Sequence, residues 1–166
     1  AGGKRIRPIL CLAAAEAAGG NPEAALVPAL AIEVLHTYTL IHDDLPALDN
    51  DSLRRGKPTA HVKFGQANAI LAGDALLTLA FEWLARCEAP RPYAPSAYAL
   101  ELAVAAGSQG VIGGQCEDMA GEGKQPDAAQ VDYIHLNKTA KLIRVATRIG
   151  AMAGRATPEQ VEGFGI

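Results

Sequence analysis

The stretch LIHDDLPALDNDSLRRGKPTAH, residues 40–61, concentrates opposite charges directly after an apolar helical run. Four carboxylates and three cations lie within fifteen positions: Asp43, Asp44, Asp49, Asp51, Arg54, Arg55 and Lys57. Acid fixed at the end of a buried helix is costly unless positive charge lies beside it. Magnesium suits such a place, because it binds hard oxygens and takes only one or two carboxylates when phosphates supply the rest. The stretch therefore predicts a site where magnesium and arginine side chains bind a polyphosphate.

Composition and charge favour one helical domain and argue against several classes of partner. Alanine and leucine dominate and aromatic residues make up only 5% of the 166, so a single all-α domain over residues 1–166 is expected. The net charge of −3 argues against a nucleic-acid partner. No apolar run looks long and charge-free enough to span a membrane, and no signal peptide is visible. Three dispersed cysteines, Cys11, Cys87 and Cys116, indicate the reduced thiols of a cytoplasmic protein rather than disulfides or a zinc site.

Apolar periodicity and the positions of proline and glycine predict where the helices lie. They are expected over residues 9–18, 29–44, 66–87, 96–119, 127–136 and 142–153, with a last helix from residue 157. Pro46 should end the second helix just after Asp44, and residues 56–58 should form a turn. On an unbroken helix Asp43 and Asp49 would lie about 120° apart, so this break lets Asp49 return toward Asp43.

The basic segment at the start of the chain and His36 each have two competing interpretations. Residues 2–3 are glycines that precede Lys4 and Arg7 at a helix start, which is typical of an anion site, although a solvated basic terminus is an equal alternative. His36 lies two turns before Asp43 on the same helix face, about 10 Å away along the axis. An isolated histidine of this kind is more often a core residue, but the shared face favours a functional one.

The second half of the chain carries further candidates. The predicted helix over residues 96–119 contains four glycines, Gly107, Gly110, Gly113 and Gly114. Each costs about 1 kcal/mol in a helix interior, so close approach of another helix or a ligand is expected. Gln115 and Asp118 face the same way, with plain helix packing as the competing interpretation. Lys138, at the start of a helical stretch, indicates an anion partner or a solvated face, and Asp74, amid apolar residues, is expected to make a structural hydrogen bond.

Five segments occur in an order that is typical of a known family. They are GGKRIRP (2–8), HTYTLIHDDLPALDNDSLRRGKPTAH (36–61), FGQANAILAGDALLTLAFEWL (64–84), GGQCEDMAGEGK (113–124) and LNKTAKLIR (136–144). Together they resemble the trans-isoprenyl diphosphate synthases, and among these the bacterial farnesyl diphosphate synthases, almost end to end. The resemblance implies an isoprenoid synthase-type bundle of helices around a deep central cavity, assembled as a homodimer.

The resemblance also implies a reaction. The family joins isopentenyl diphosphate head-to-tail to an allylic diphosphate, dimethylallyl or geranyl, with Mg2+ as cofactor. The allylic diphosphate leaves, the isopentenyl double bond attacks the resulting carbocation, and a proton is then lost. Farnesyl diphosphate is the expected product, with geranylgeranyl diphosphate as the alternative. A terpene cyclase is less favoured because Lys4, Arg7 and Arg55 suggest a second diphosphate site, and a non-catalytic synthase subunit is less favoured because the aspartates are kept.

The same resemblance assigns roles to individual side chains. Asp43 and Asp49 would be magnesium ligands, and Asp44 would belong to the same metal site mainly by orienting Arg54. The allylic diphosphate would contact Arg54, Lys138 and Thr139, and the isopentenyl diphosphate would contact Lys4, Arg7, His36 and Arg55. Gln115 would lie at the hydrocarbon or carbocation, and Asp118 would hold a magnesium-linked water or Lys138. Tyr38 and Thr39 would set product length, although Tyr38 lies roughly 140° round the helix from Asp43 and packing is an alternative role.

Two parts of the family pattern are not found in this sequence. They are the second aspartate-rich motif and the helix that precedes the glycine–basic segment. We therefore expect the chain to be a partial prenyl synthase domain, incomplete at both ends.

Overall fold

The structure is a computed structural model that describes residues 2–125 and 127–165. Its helices are α1 (Ile6–Ala17), α2 (Leu26–Asp43), α3 (Ala60–Phe64), α4 (Gln66–Ala85), α5 (Ala97–Ala106), α6 (Val111–Gly121), α7 (Ala128–Ile134), α8 (Lys141–Ala153) and α9 (Pro158–Gly163). A 3-10 turn, Pro22–Ala25, precedes α2, and a π-helical segment, His135–Ala140, joins α7 to α8. Leu53–Arg54 (β1) and Lys57–Pro58 (β2) form a small antiparallel hairpin. The predicted all-α fold class is confirmed.

A core of small and branched apolar residues lies where α1, α2 and α8 meet. Ile32 and Leu35 of α2 are fully buried, as are Leu142 and Ile149 of α8. Burying such a side chain stabilises the fold by roughly 2 kcal/mol relative to leaving it exposed. From α1 the buried Cys11 joins them, and burial raises the pKa of its thiol to about 12. All three cysteines are free, in agreement with their prediction as reduced thiols.

Glycines of α8 allow α1 to approach closely. A Cβ atom added to Gly150 would overlap the carbonyl oxygen of Cys11, and one added to Gly154 would overlap that of Ala15. Both obstructing atoms belong to the backbone of α1, so a change of rotamer cannot relieve the overlap. The packing of this helix pair therefore depends on glycine, although glycine costs about 1 kcal/mol in a helix interior.

A histidine fixes the end of α2 against α4. His42 Nε2 donates a hydrogen bond of 3.0 Å to the carbonyl oxygen of Ile70, and its ring meets Tyr38 edge-on with the ring centroids 5.1 Å apart. Gly73 makes room for this ring, because a Cβ atom there would overlap the imidazole. Since His42 directly precedes Asp43, the same contact positions the start of the acidic stretch.

The ends of several helices follow the predicted signals. Pro46 follows the end of α2 as expected, and Pro22 opens the 3-10 turn that precedes α2. Helix α2 nevertheless begins at Leu26 rather than at residue 29, because Pro28 lies in the first turn, where its missing N–H loses no intrahelical partner. Asp127 caps α7 by accepting a hydrogen bond from the Gln130 N–H at 2.7 Å.

Two predicted elements are wrong. The helix expected over residues 96–119 is two helices, because the chain turns between Gly107 and Gly110 and no side chain fits at Gly110 beside the carbonyl oxygen of Ala105. The turn expected at residues 56–58 is part of the β1–β2 hairpin, which turns at Arg55 and Gly56 with φ of 53° and 74°. The short helix α3 was not predicted.

The prediction for Asp74 is also wrong. Its side chain is 60% exposed and has no hydrogen bond within the described part of the chain, and His42 Nε2 lies 4.0 Å away. The neighbouring Ile70 and Leu71 are exposed as well, so this face of α4 points away from the core. Water can therefore solvate the carboxylate without a protein partner.

Two stretches are long and apolar enough to cross a membrane by length and composition alone, Pro22–Asp43 and Gln66–Ala85. The prediction that no run is long enough is therefore wrong for these two. Length and composition are weak indicators, because a core helix of a soluble protein passes the same test. Here α2 carries core residues and packs along α4. The absence of a membrane span stays a prediction.

We expect Gly150→Ala to lower the free energy of unfolding by about 1–3 kcal/mol, because the added methyl group meets the backbone of α1. Gly163→Ala in α9 is the matched control, since nothing lies within 4 Å of the Cβ atom it adds. Its stability should be unchanged or slightly higher, because alanine is the better helix former. Urea unfolding followed by circular dichroism measures both, and equal midpoints would contradict the packing described.

Candidate active site

The acidic stretch forms a bend that begins at the end of α2. After Asp43 the chain turns, and the Asp49 N–H donates a hydrogen bond of 2.9 Å to the Asp43 carbonyl oxygen. This contact brings Asp49 back beside Asp43, as the proline break predicts. Burial raises the pKa of Asp43 to about 6; the charge of Lys138 lowers it and that of Asp49 raises it further. The bend therefore holds carboxylates that are short of positive charge.

Asp44 has a different environment from its two neighbours. Its side chain is only 3% exposed, and Arg54 on β1 binds both of its oxygens. Arg54 Nη2 lies 2.6 Å from Oδ1, and Nε lies 2.8 Å from Oδ1 and 3.0 Å from Oδ2. This hydrogen bonding raises the pKa of Arg54. The expected contact between Asp44 and Arg54 is present, and it leaves Asp43 and Asp49 as the carboxylates open to a cation.

The donor atoms at the bend fit a divalent cation that phosphate oxygens also bind. Within residues 2–125 and 127–165, no three acidic, histidine or cysteine side chains converge to hold an ion by themselves. Magnesium needs only one or two protein carboxylates when phosphate and water complete its shell. Asp43 and Asp49 provide these, and the raised pKa of Asp43 indicates that added positive charge would be favourable there.

Side chains from three parts of the chain line one cationic cavity along α2. Its volume is about 630 Å³, and its lining includes Lys4, Arg7, His36 and Arg55. These four residues were predicted to share one ligand, and the fold brings them together. The Arg7 Nε atom is buried with no hydrogen-bond partner in the described part of the chain, and burial lowers the pKa of Arg7. A buried guanidinium without a full set of acceptors is suited to an anion.

His36 lies between this cavity and a second one of about 470 Å³, which Arg54 and Lys57 also line. Burial lowers the pKa of His36 to about 4, and the charges of Arg7 and Arg55 lower it further. His36 is therefore neutral near pH 7 and can donate or accept a hydrogen bond without adding charge. His36 lines both cavities, and its functional role stays a prediction.

Arg5 is a residue that sequence reasoning did not single out. It stands at the start of α1 with φ of 52°, and its Nη1 lies 2.8 Å from Glu33 Oε1. Both side chains line the two cavities beside His36. In the sequence, only the run of cations in GGKRIRP indicated a place for Arg5 at the site. Its pairing with Glu33 of α2 is visible only in the structure.

Lys138 faces the acidic bend from the π-helical segment. Its Nζ lies 2.6 Å from Asp118 Oδ2 of α6, which is one of the two partners predicted for Asp118. Burial opposes the charge of Lys138, but the hydrogen bond and charge of Asp118 raise its pKa. Asp43 and Asp49 raise it too, so the ammonium lies within electrostatic reach of the bend.

Other candidates on these helices are placed as follows. The Gln115 amide nitrogen and oxygen are both buried without a hydrogen-bond partner among the described residues. Thr139 is exposed and its hydroxyl makes no hydrogen bond in that part of the chain. Thr39 donates to the carbonyl oxygen of His36 at 2.8 Å. Tyr38 is half-buried between the core and His42, as the packing alternative for this residue expects.

One known protein family matches the sequence almost throughout. The profile of the family described as Polyprenyl synthetase matches residues 1–165. The chain belongs to the polyprenyl synthetase family. Family membership confirms the resemblance carried by the five segments, and the positions that line the cavities and the bend lie within the matched range.

Members of the polyprenyl synthetase family with assigned names match over nearly all of this chain. It is 49% identical over 162 residues to a farnesyl diphosphate synthase of Geobacillus stearothermophilus, covering 96% of this chain and 54% of that protein. It is 48% identical over 163 residues to geranylgeranyl pyrophosphate synthase 7, chloroplastic, of Arabidopsis thaliana, covering 96% and 47%. The chain therefore spans about half the length of the curated relatives it matches.

A solved structure matches the fold. It is the apo crystal structure of a FPP/GFPP synthase from Zymomonas mobilis, with a TM-score of 0.86 and 38% sequence identity. The match covers 99% of this chain and 60% of that one. The helices and bend described above are therefore arranged as in a polyprenyl synthase.

We expect NMR titration of histidine-labelled protein to give His36 a pKa near 4. Pyrophosphate should raise that pKa by about one unit or more, because the anion stabilises the imidazolium form. The unfolded chain protonates this residue near 6.5, so the contribution of His36 to folding stability should fall as the pH falls from about 6.5 toward 4, while Asp43, with a folded-state pKa of about 6, acts in the opposite direction. His36→Gln assigns the signal and should reduce that loss. A His36 signal that does not respond to pyrophosphate would contradict an anion site in the cavity.

Proposed function

We propose that the protein is a short-chain trans-prenyltransferase, which joins isopentenyl diphosphate head-to-tail to an allylic diphosphate. One observation carries the proposal: helix α2 has a cavity lined by cations along its side and an acidic bend at its end. Lys4, Arg7 and Arg55 line the cavity, and Asp43 and Asp49 form the bend. Each diphosphate needs positive charge, which the cavity side chains supply for one and a divalent cation held by the bend would supply for the other. Membership of the polyprenyl synthetase family supports this interpretation.

In this proposal each charged group has a separate task. The cavity side chains bind the isopentenyl diphosphate, with neutral His36 donating a hydrogen bond to a phosphate oxygen. Asp43 and Asp49 would hold Mg2+, which when bound neutralises the charge of the departing allylic diphosphate. Arg54, held rigid by Asp44, and Lys138 supply positive charge to the same leaving group.

The hydrocarbon part of the reaction needs the opposite environment. A carbocation must be kept from water, which would trap it as an alcohol. In this proposal apolar side chains around the hydrocarbon exclude water, and the amide of Gln115, unpartnered among the described residues, can orient its oxygen toward positive charge without reacting with it. The proton that is lost at the end requires an acceptor oxygen, which the departed diphosphate provides.

Product length is the finer part of the proposal. We propose farnesyl diphosphate, because bulky Tyr38 lies one turn before the acidic bend and would shorten the space for the chain. Geranylgeranyl diphosphate is the alternative, since relatives of both names match almost equally well. A homodimer in the cytoplasm remains part of the proposal.

A terpene cyclase is the second candidate function. Such an enzyme also ionises an allylic diphosphate at aspartate-bound magnesium, which fits the bend. It has no use for a second diphosphate site, however, so the cavity that joins Lys4, Arg7 and Arg55 weighs against it.

The complete protein, incubated with radiolabelled isopentenyl diphosphate, dimethylallyl diphosphate and magnesium, should give linear prenyl alcohols after dephosphorylation. Asp43→Asn should lower turnover at least about 100-fold, because it removes a carboxylate from the bend. Asp132→Asn is the matched control, since this exposed residue of α7 has no ion pair in the described part of the chain. Chromatography identifies the products. Cyclic hydrocarbons would favour the cyclase, and an active Asp43→Asn protein would contradict the proposed site.

Tyr38→Ala should lengthen the product beyond fifteen carbons, because it removes the largest side chain near the bend on α2. Tyr38→Phe is the control, since it keeps the ring and its contact with His42. The same chromatography measures the ratio of chain lengths. An unchanged ratio in Tyr38→Ala would leave packing as the role of this residue.

A further inference from the structure

We propose that Gly114 is a positioning residue: its missing side chain lets the π-helical segment lie against α6, and so sets where the Lys138 ammonium stands. The inference rests on the proposed function, in which Lys138 supplies charge to the allylic diphosphate. It concerns a residue that touches neither substrate.

The contact between Gly114 and Lys138 is between backbones. A Cβ atom added to Gly114 would lie 2.5 Å from the Lys138 nitrogen and 2.9 Å from both its Cα and its Cβ. Packed Cβ atoms do not approach other heavy atoms below about 3.0 Å. None of these three atoms can rotate away, so any larger residue must push the π-helical segment off α6.

The far end of the Lys138 side chain is held by the same helix. Its Nζ lies 2.6 Å from Asp118, four residues after Gly114 and therefore on the same face of α6. One helix thus fixes Lys138 twice, through its backbone at Gly114 and through its ammonium at Asp118. A displaced backbone would require the side chain to give up Asp118 or the acidic bend.

A clash at Gly114 is expected to shift the two elements relative to each other, because each is held from within. The buried Asn137 donates a hydrogen bond of 2.8 Å to the Tyr133 carbonyl oxygen, which lies in the same helical stretch as Lys138. At the start of α6, Gly113 lies against the Ser108 carbonyl oxygen of the preceding turn. The displacement is therefore expected between α6 and the π-helical segment, at Lys138.

The effect should be confined to one substrate. The cavity proposed for isopentenyl diphosphate is lined from α1, α2 and the hairpin, and neither α6 nor the π-helical segment contributes to it. We expect Gly114→Ala to lower kcat/KM for the allylic diphosphate by about 10- to 100-fold, as a misplacement near 1 Å does. The KM for isopentenyl diphosphate should change less than about twofold. Gly163→Ala, which meets no neighbour within 4 Å, should change neither constant.

A double-mutant cycle separates positioning from general packing. If Gly114 acts through Lys138, the loss caused by Gly114→Ala should nearly vanish when Lys138→Ala is already present. Independent effects that multiply would overturn the inference. So would a Gly114→Ala protein that fails to fold, because packing would then be its main role. Asp118→Asn removes the ion pair of the Lys138 ammonium without touching its backbone. It must also lower kcat/KM for the allylic diphosphate, and an unchanged value would overturn the inference.

A binding measurement distinguishes this inference from the proposed function. Titration calorimetry of magnesium pyrophosphate onto the complete protein needs no turnover. Weaker binding in Gly114→Ala that depends on Lys138 supports the inference even if no prenyl product forms, in which case only the proposed function fails. Normal product formation with no coupling between the two positions leaves the function standing and removes the role of Gly114.

Discussion

The fold around the acidic bend depends on one buried ion pair. Asp44 is almost fully buried at the end of α2, and a carboxylate there is tolerable only because Arg54 binds both of its oxygens. Removing one partner of such a pair costs about 3–5 kcal/mol, because the other charge stays buried. The pair also joins the β1–β2 hairpin to α2, and it thereby brings Arg55 to the cationic cavity. Charge balance at Asp44 thus determines where Arg54 and Arg55 lie relative to the bend and the cavity.

Close approach of helices at glycine is the second constraint. Gly73 receives the ring of His42, Gly114 receives the backbone of Lys138, and α8 meets α1 at two further glycines. The first contact holds the residue before Asp43, and the second holds Lys138, whose pKa the charges of the bend raise. Each replaces a side chain by a neighbouring element, which leaves little freedom for the groups that follow it in sequence. The helix packing at these glycines therefore also fixes the geometry of the site.

Three titratable groups of the site are buried enough that their charged forms are disfavoured. Burial raises the pKa of Asp43 and lowers the pKa values of His36 and Arg7, so the charged form of each group is less favourable than it would be in water. A cation at the bend and an anion in the cavity would each reverse that effect. Because burial makes their charged forms unfavourable, these groups respond strongly to ligands of opposite charge. Such shifted pKa values are common at functional sites.

The sequence by itself determined the helical fold class, the proline break after Asp44 and the cap at Asp127, because these depend on the order of neighbouring residues. It also indicated the candidate residues, through motifs whose order is specific to the polyprenyl synthetase family. Only the tertiary structure decided that Arg5 pairs with Glu33, that Asp74 faces outward and that the chain breaks between Gly107 and Gly110. These outcomes depend on which surfaces meet across long separations in sequence, and no local pattern contains that information.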